Sequence, residues 1–156
     1  MVPIPIDVQL VLAPIILVSA AGLLGLLLQN RYGRIIDRIR FFEVERRALT
    51  GGELNEKQKR RMEIIEQQLK ILLKRGRYIK NSLFYILLSA LLVVLFSFTA
   101  LISSAIGNDV GQYVSFALFG ISLLAVFAGV LYAILEIQIS YKAVLIDIDA
   151  LQENKK

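Results

Sequence analysis

The sequence predicts an all-α integral membrane protein with three transmembrane helices, the first two extended into a charged helical hairpin. Three observations predict it. Runs at about 8–28, 83–106 and 113–135 carry almost no charge, and each exceeds the roughly 20 residues a helix needs to cross a hydrocarbon core of about 30 Å. Hydrophobic residues make up 56% of the 156-residue chain and the mean hydropathy is +0.64, well outside the range of an ordinary soluble domain. Fifteen of the eighteen lysines and arginines lie in the interval 31–80, between the first two runs. Lipid offers the backbone no hydrogen-bond partner, so apolar runs of this length have to be helices.

The first run ends at Asn30-Arg31-Tyr32-Gly33-Arg34. It has no basic start and is too long for the apolar core of a cleavable leader, which predicts a retained span. Successive residues turn by about 100°, so Pro14, Ala21, Gly22 and Gly25 gather on one side as a small-residue packing face. The other side reads Gln9, Leu12, Ile16, Ala20, Leu23, Leu27, Asn30, Arg34, polar at its start, apolar in the middle and basic at its end. Repeated around a symmetry axis, that stripe lines a pore with a hydrophobic constriction, with Arg34 and Arg38 at the mouth. In a monomer it faces lipid.

Beyond Arg31 the apolar residues switch to a 3–4 spacing, Ile35, Ile39, Phe42 and Leu49 with Arg46 among them, the stripe of a coiled-coil helix. Thr50-Gly51-Gly52 predicts its end. Asn55 with Gln58 three residues on predicts a capping box for the return arm. That arm repeats the spacing with Met62, Ile65, Leu69, Leu72, Gly76 and Ile79, then runs into the second span. The result is a paired hairpin over 31–80, with a basic cluster, Lys74, Arg75, Arg77 and Lys80, suited to anionic headgroups.

The hydroxyls of the second span, among them Ser82, Ser89, Ser97, Thr99 and Ser103, are expected to bond back to the preceding turn. In the third span Ser115, Ser122, Gly129 and Glu136 recur every seven residues, a small-residue seam that ends on an ionisable group. A carboxylate there needs a cation, and Asn30, Arg31 and Arg34 end the first span at the same depth, so Glu136 is expected to pair with one of those arginines. A modest amphipathic helix follows over 137–151. The whole chain, 1–156, is expected to form one membrane domain.

The positive-inside rule sets the N-terminus outside and the hairpin and C-terminus in the cytoplasm. Tyr32, Tyr78 and Tyr132 then fall at one interface and Tyr113 near the other. There is no cysteine and no histidine, which excludes disulfides, thiol nucleophiles, serine–histidine triads and the usual zinc or haem ligands. No cofactor or metal ligand set is implied, and no enzyme. A pI near 9.6 does not point to nucleic acid, because seven acids interleave the hairpin's charge. Asp7 and Asp109 would form acidic rings in an oligomer, favouring inorganic cations at a pore mouth.

Pro14, Ser19, Asn30-Arg31, Arg34 and Asp37-Arg38-Ile39-Arg40, together with Glu136-Ile137, carry a resemblance. The stretch 13–40, containing NRYGRIIDRIR, and the three-span plan resemble the bacterial membrane proteins grouped as domain of unknown function 2721. The resemblance implies a bacterial plasma (inner) membrane location and marks Pro14, Asn30, Arg31, Arg38, Arg40 and Glu136 as positions of interest. It implies no activity. Two functions are expected from different classes: a homo-oligomeric ion channel lined by the first helix, or a non-conducting scaffold whose hairpin binds a partner.

Overall fold

A computed structural model describes the backbone of residues 6–50, 55–107 and 109–153, and the side chains of residues 12–50, 55–107 and 109–140. The described chain consists of three helices: α1 (Ile6–Leu49), α2 (Glu56–Ile106) and α3 (Asp109–Glu153). There is no strand among the described residues. Each helix is long and apolar enough to cross a membrane. α1 passes through Pro14 without interruption and continues into the charged arm. α3 begins at Asp109, four residues before the apolar run taken from the sequence, and passes Glu136 unbroken. The side chains of Asp7, Gln9 and the amphipathic stretch beyond Ser140 lie outside the described residues, as do Gly51 and Gly52.

The ends of the elements follow local chemistry. At the end of α1, the Arg46 carbonyl accepts both the Thr50 N–H at 3.2 Å and the Thr50 hydroxyl at 2.7 Å, so the last turn is closed by Thr50. At the start of α2, the Asn55 N–H donates to Gln58 Oε1 at 2.9 Å, which is one half of the expected capping box. The other half differs: Asn55 Oδ1 accepts from the adjacent Glu56 N–H at 2.8 Å. Between α2 and α3 the chain turns at Gly107, whose φ of 67° is open to glycine at no steric cost.

The contacts divide into two compact units. One contains α1 up to Leu28, α2 from Asn81 and α3 up to Leu131. Here Ile86, Val93, Phe96, Ala125 and the serines 82, 89, 103, 115 and 122 are buried. α2 and α3 run antiparallel. Ser82 Oγ donates to the Gly129 carbonyl at 2.6 Å, the Phe96 and Phe119 rings sit 5.0 Å apart, and Ser115 Oγ lies 3.1 Å from Thr99 Oγ1. Ser89, Ser97, Thr99 and Ser122 donate to carbonyls one turn back at 2.7–3.0 Å. Lipid supplies no hydrophobic drive between helices, so packing and these hydrogen bonds hold the pair.

Close packing is concentrated on α3. A Cβ on Gly129 would stand 2.8 Å from Ile86 Cγ1, 3.2 Å from the Ser82 carbonyl oxygen and 3.3 Å from the Ile86 nitrogen. Gly111 is similarly pressed by Ser103. On α1, Pro14, Ala21, Gly25 and Leu28 are buried while Gly22 is exposed, and neither Gly22 nor Gly25 has an atom within 4 Å of where a Cβ would be.

The other unit contains α1 from Gln29, α2 up to Lys80 and α3 from Tyr132. Ile35, Phe42, Ile65, Leu69, Leu72 and Ile79 form its core, each worth about 1.5–3 kcal/mol when fully removed from water. Arg61 donates to both carboxylate oxygens of Glu45, at 2.7 and 3.1 Å, which marks the antiparallel register of the two arms. Those hydrogen bonds, seconded by the guanidinium charge, hold the Glu45 carboxyl below its ordinary pKa. Tyr78 and Tyr132 place their rings 6.2 Å apart.

Substituting Gly129 with alanine forces Ile86 or the backbone of α2 to move, a change of the kind that costs about 1–3 kcal/mol. Thermal melting in detergent should fall for Gly129→Ala and stay unchanged for Gly22→Ala. Equal melting of both variants would contradict the tight α2–α3 approach.

Candidate functional site

The seam of α3 decides where the site lies. Ser115, Ser122, Gly129 and Glu136 follow one another at intervals of seven, so all four turn to one face of the helix, and all four are buried. The first three are small enough for close packing. The fourth is a carboxylate, 0% exposed. A buried charge without partners is costly, so the neighbouring arms must neutralise it.

They do so with two arginines. Arg75 of α2 donates from Nε and Nη2 to Glu136 Oε1, at 3.1 and 3.0 Å. Arg31 of α1 brings Nη2 within 3.1 Å of Oε2. Ser140, one turn further along α3, donates its hydroxyl to Oε1 at 2.9 Å. All three helices thus contribute to one knot. The carboxylate is served unevenly: Oε1 accepts three hydrogen bonds, while Oε2 faces Arg31 off the hydrogen-bonding direction and accepts none.

A cavity of about 280 Å³ opens beside the knot. Arg31, Arg34, Arg38 and Arg75 line it together with Glu136, and Ile35, Leu72 and Ile79 provide apolar walls. Arg34 and Arg38 are exposed, and neither has a carboxylate partner among the described residues. Arg38 instead lies 5.8 Å from the centroid of the Phe42 ring, a contact that leaves its charge available.

Arg75 and Ser140 are site residues that the sequence reading did not assign to Glu136. Ser140 sits at i+4 on the same helix and could have been read from that spacing. Arg75 needed the hairpin register: once Glu45 opposes Arg61, Arg75 lies opposite Arg31. Asn30 is exposed and takes no part in the knot. The other stripe residues of α1, Leu12, Ile16, Ala20, Leu23 and Leu27, are all exposed on the outside of the chain.

Comparison with known proteins adds one decisive match. The family model described as protein of unknown function, DUF2721, aligns with residues 11–146, most of the chain. The chain belongs to that family. No curated protein matches the chain, and no solved structure does. The matched interval contains all of the knot of this DUF2721 protein, from Arg31 through Arg75 to Glu136 and Ser140.

Removing one partner of a buried ion pair strands the other, at a cost of about 3–5 kcal/mol. Arg75→Gln should therefore lower unfolding stability by that order. Arg31→Gln should cost less, because its contact lacks hydrogen-bond geometry. The double variant Glu136→Gln/Arg75→Gln should lose less than the sum of the single losses in denaturation measurements. Strict additivity would show that the two side chains do not interact.

Proposed function

We propose that this DUF2721 protein is a homo-oligomeric ion channel of the bacterial plasma membrane, with α1 lining the pore and no enzymatic role. The observation that carries the reading is the open face of α1. Leu12, Ile16, Leu23 and Leu27 are exposed, Ile16 at 64%, while the opposite face supplies Pro14, Ala21, Gly25 and Leu28 to the contact with the other helices. Around a cyclic axis normal to the bilayer, that face forms the apolar constriction, with Gln9 at one end and Arg34 and Arg38 at the other. Ala20 continues the same stripe. Inorganic ions are the permeant species.

The orientation follows lysine and arginine counts: N-terminus outside, hairpin and C-terminus in the cytoplasm. Anionic headgroups on the cytoplasmic leaflet would meet Lys74, Arg77 and Lys80 at about 1 kcal/mol per charge near the surface, whereas Arg75, expected in the same cluster, is turned to Glu136.

A second reading has its own observation. Phe41 and Val44 are 65% and 68% exposed on the charged part of α1, and Leu73 is exposed on the facing arm. Large apolar side chains left open in a segment rich in charge mark a surface that another protein covers. A non-conducting scaffold or accessory subunit whose hairpin binds a cytoplasmic partner uses that surface.

Purified protein in liposomes separates the two. The channel predicts unitary currents and ion flux, and Ile16→Ser, by wetting the constriction, should increase leak. Currents and flux at background for both proteins would leave the scaffold. The absence of native cysteine makes the orientation directly testable. A membrane-impermeant maleimide added to intact cells should label Asp109→Cys and leave Lys57→Cys unlabelled, and the reverse pattern would invert the topology.

A further inference from the structure

The pore reading uses Arg34 and Arg38 as charges at the mouth, but gives no role to the cavity they share with Glu136 or to the carboxylate oxygen left without a hydrogen bond. We infer that this cavity is a binding site for a phosphate group bearing a neighbouring hydroxyl, seated between Arg34, Arg38 and Arg31 with the hydroxyl donated to Glu136 Oε2.

The charge balance comes first. The lining holds four arginines and one glutamate, and Arg75 commits both of its donated hydrogen bonds to Glu136 Oε1. Arg34 and Arg38 retain their charge with no acid against them among the described residues. They project from α1 three and seven residues after Arg31, so one helix side presents two uncommitted guanidinium forks beside the Arg31 fork that faces Glu136. Planar forks of this type match the oxygens of a phosphate in pairs, which an isolated ammonium does not.

The carboxylate gives the site its second requirement. Glu136 is wholly buried and Oε2, although 3.1 Å from the Arg31 guanidinium, accepts no hydrogen bond, so a buried charged acceptor keeps an unused lone pair. A bare anion would repel it. A ligand that brings a hydroxyl next to its phosphate satisfies the arginines and the orphan oxygen together. Headgroups of anionic phospholipids with a glycerol moiety have that chemistry, and so do soluble glycerol phosphates. Position favours the lipid. Arg31 follows the buried Leu28 by three residues, and Glu136 directly follows Leu135, so the cavity lies where the apolar parts of α1 and α3 end and headgroups would begin.

Native mass spectrometry of the full-length protein offered mixed lipids tests the lipid source. Wild type should retain phosphatidylglycerol over phosphatidylcholine, and over synthetic phosphatidylmethanol, which has the same charge but no hydroxyl. Arg34→Gln/Arg38→Gln should reduce that retention at least tenfold while keeping the wild-type melting temperature, since both side chains are exposed. Lys59→Gln/Arg60→Gln, an equal loss of charge away from the cavity, should leave it intact. Calorimetric titration with glycerol 3-phosphate forms the second arm. Binding there that the Arg34/Arg38 variant abolishes, without lipid preference, identifies a soluble ligand at the same site. Equal retention of phosphatidylmethanol would overturn the role of Glu136. Equal losses in the two double variants, or no binding in either arm, would overturn the site.

Discussion

One carboxylate organises this protein. Glu136 is buried at the point where three helices meet, and its charge is tolerable only because Arg75 and Arg31 approach it from two other helices. Apolar contacts along a helix pair are forgiving, since sliding by one turn replaces one leucine with another. A guanidinium that must place two N–H groups on one oxygen is not forgiving. The knot therefore fixes the relative register of α1, α2 and α3 in their charged part, a role in which buried ionic groups are better attested than as sources of stability. The Glu45–Arg61 pair, nearer the end of the hairpin, agrees with the register that Glu136 demands.

The same 3–4 spacing runs through both compact units but is filled with different chemistry. Around the charged arms the buried positions are Ile35, Phe42, Ile65, Leu69, Leu72 and Ile79, large side chains that gain from leaving water. In the apolar unit the corresponding positions include Ser82, Ser89, Ser115, Ser122 and Gly129. Size and hydrogen bonding matter there, because leucine against leucine is no better than leucine against lipid. The Ser82 hydroxyl on the Gly129 carbonyl illustrates the difference: a glycine brings the backbones close, and the approach allows a side chain to reach across.

Much of this was legible in the residues. Length and lack of charge define the three spans, and the continuity of α1 and α2 follows from a 3–4 spacing that joins the apolar runs with no helix-ending signal between them. Glu136 stood out as an ionisable group ending a small-residue seam. Its partnership was only half legible, because choosing Arg75 among fifteen basic residues of the hairpin requires a register that spacing within one helix does not supply. The glycines show a similar limit. Ala21 and Gly25 of α1 form a small-residue pair in sequence, yet the close approaches are at Gly111 and Gly129 of α3. Periodicity says which residues share a face, and only the opposing helix says how near it comes.

The position of Glu136 on the last of the three helices has a consequence for biosynthesis. As the chain leaves the ribosome, α1 and α2 are complete before Glu136, the one acid paired with Arg31 and Arg75 among the described residues, has been translated. A nascent or truncated product ending before that point keeps the Glu45–Arg61 pair between its first two helices but leaves the Arg31 and Arg75 guanidiniums without their carboxylate. Assembly of the charged junction is therefore completed by α3, and a chain that stops short of Glu136 leaves it unfinished.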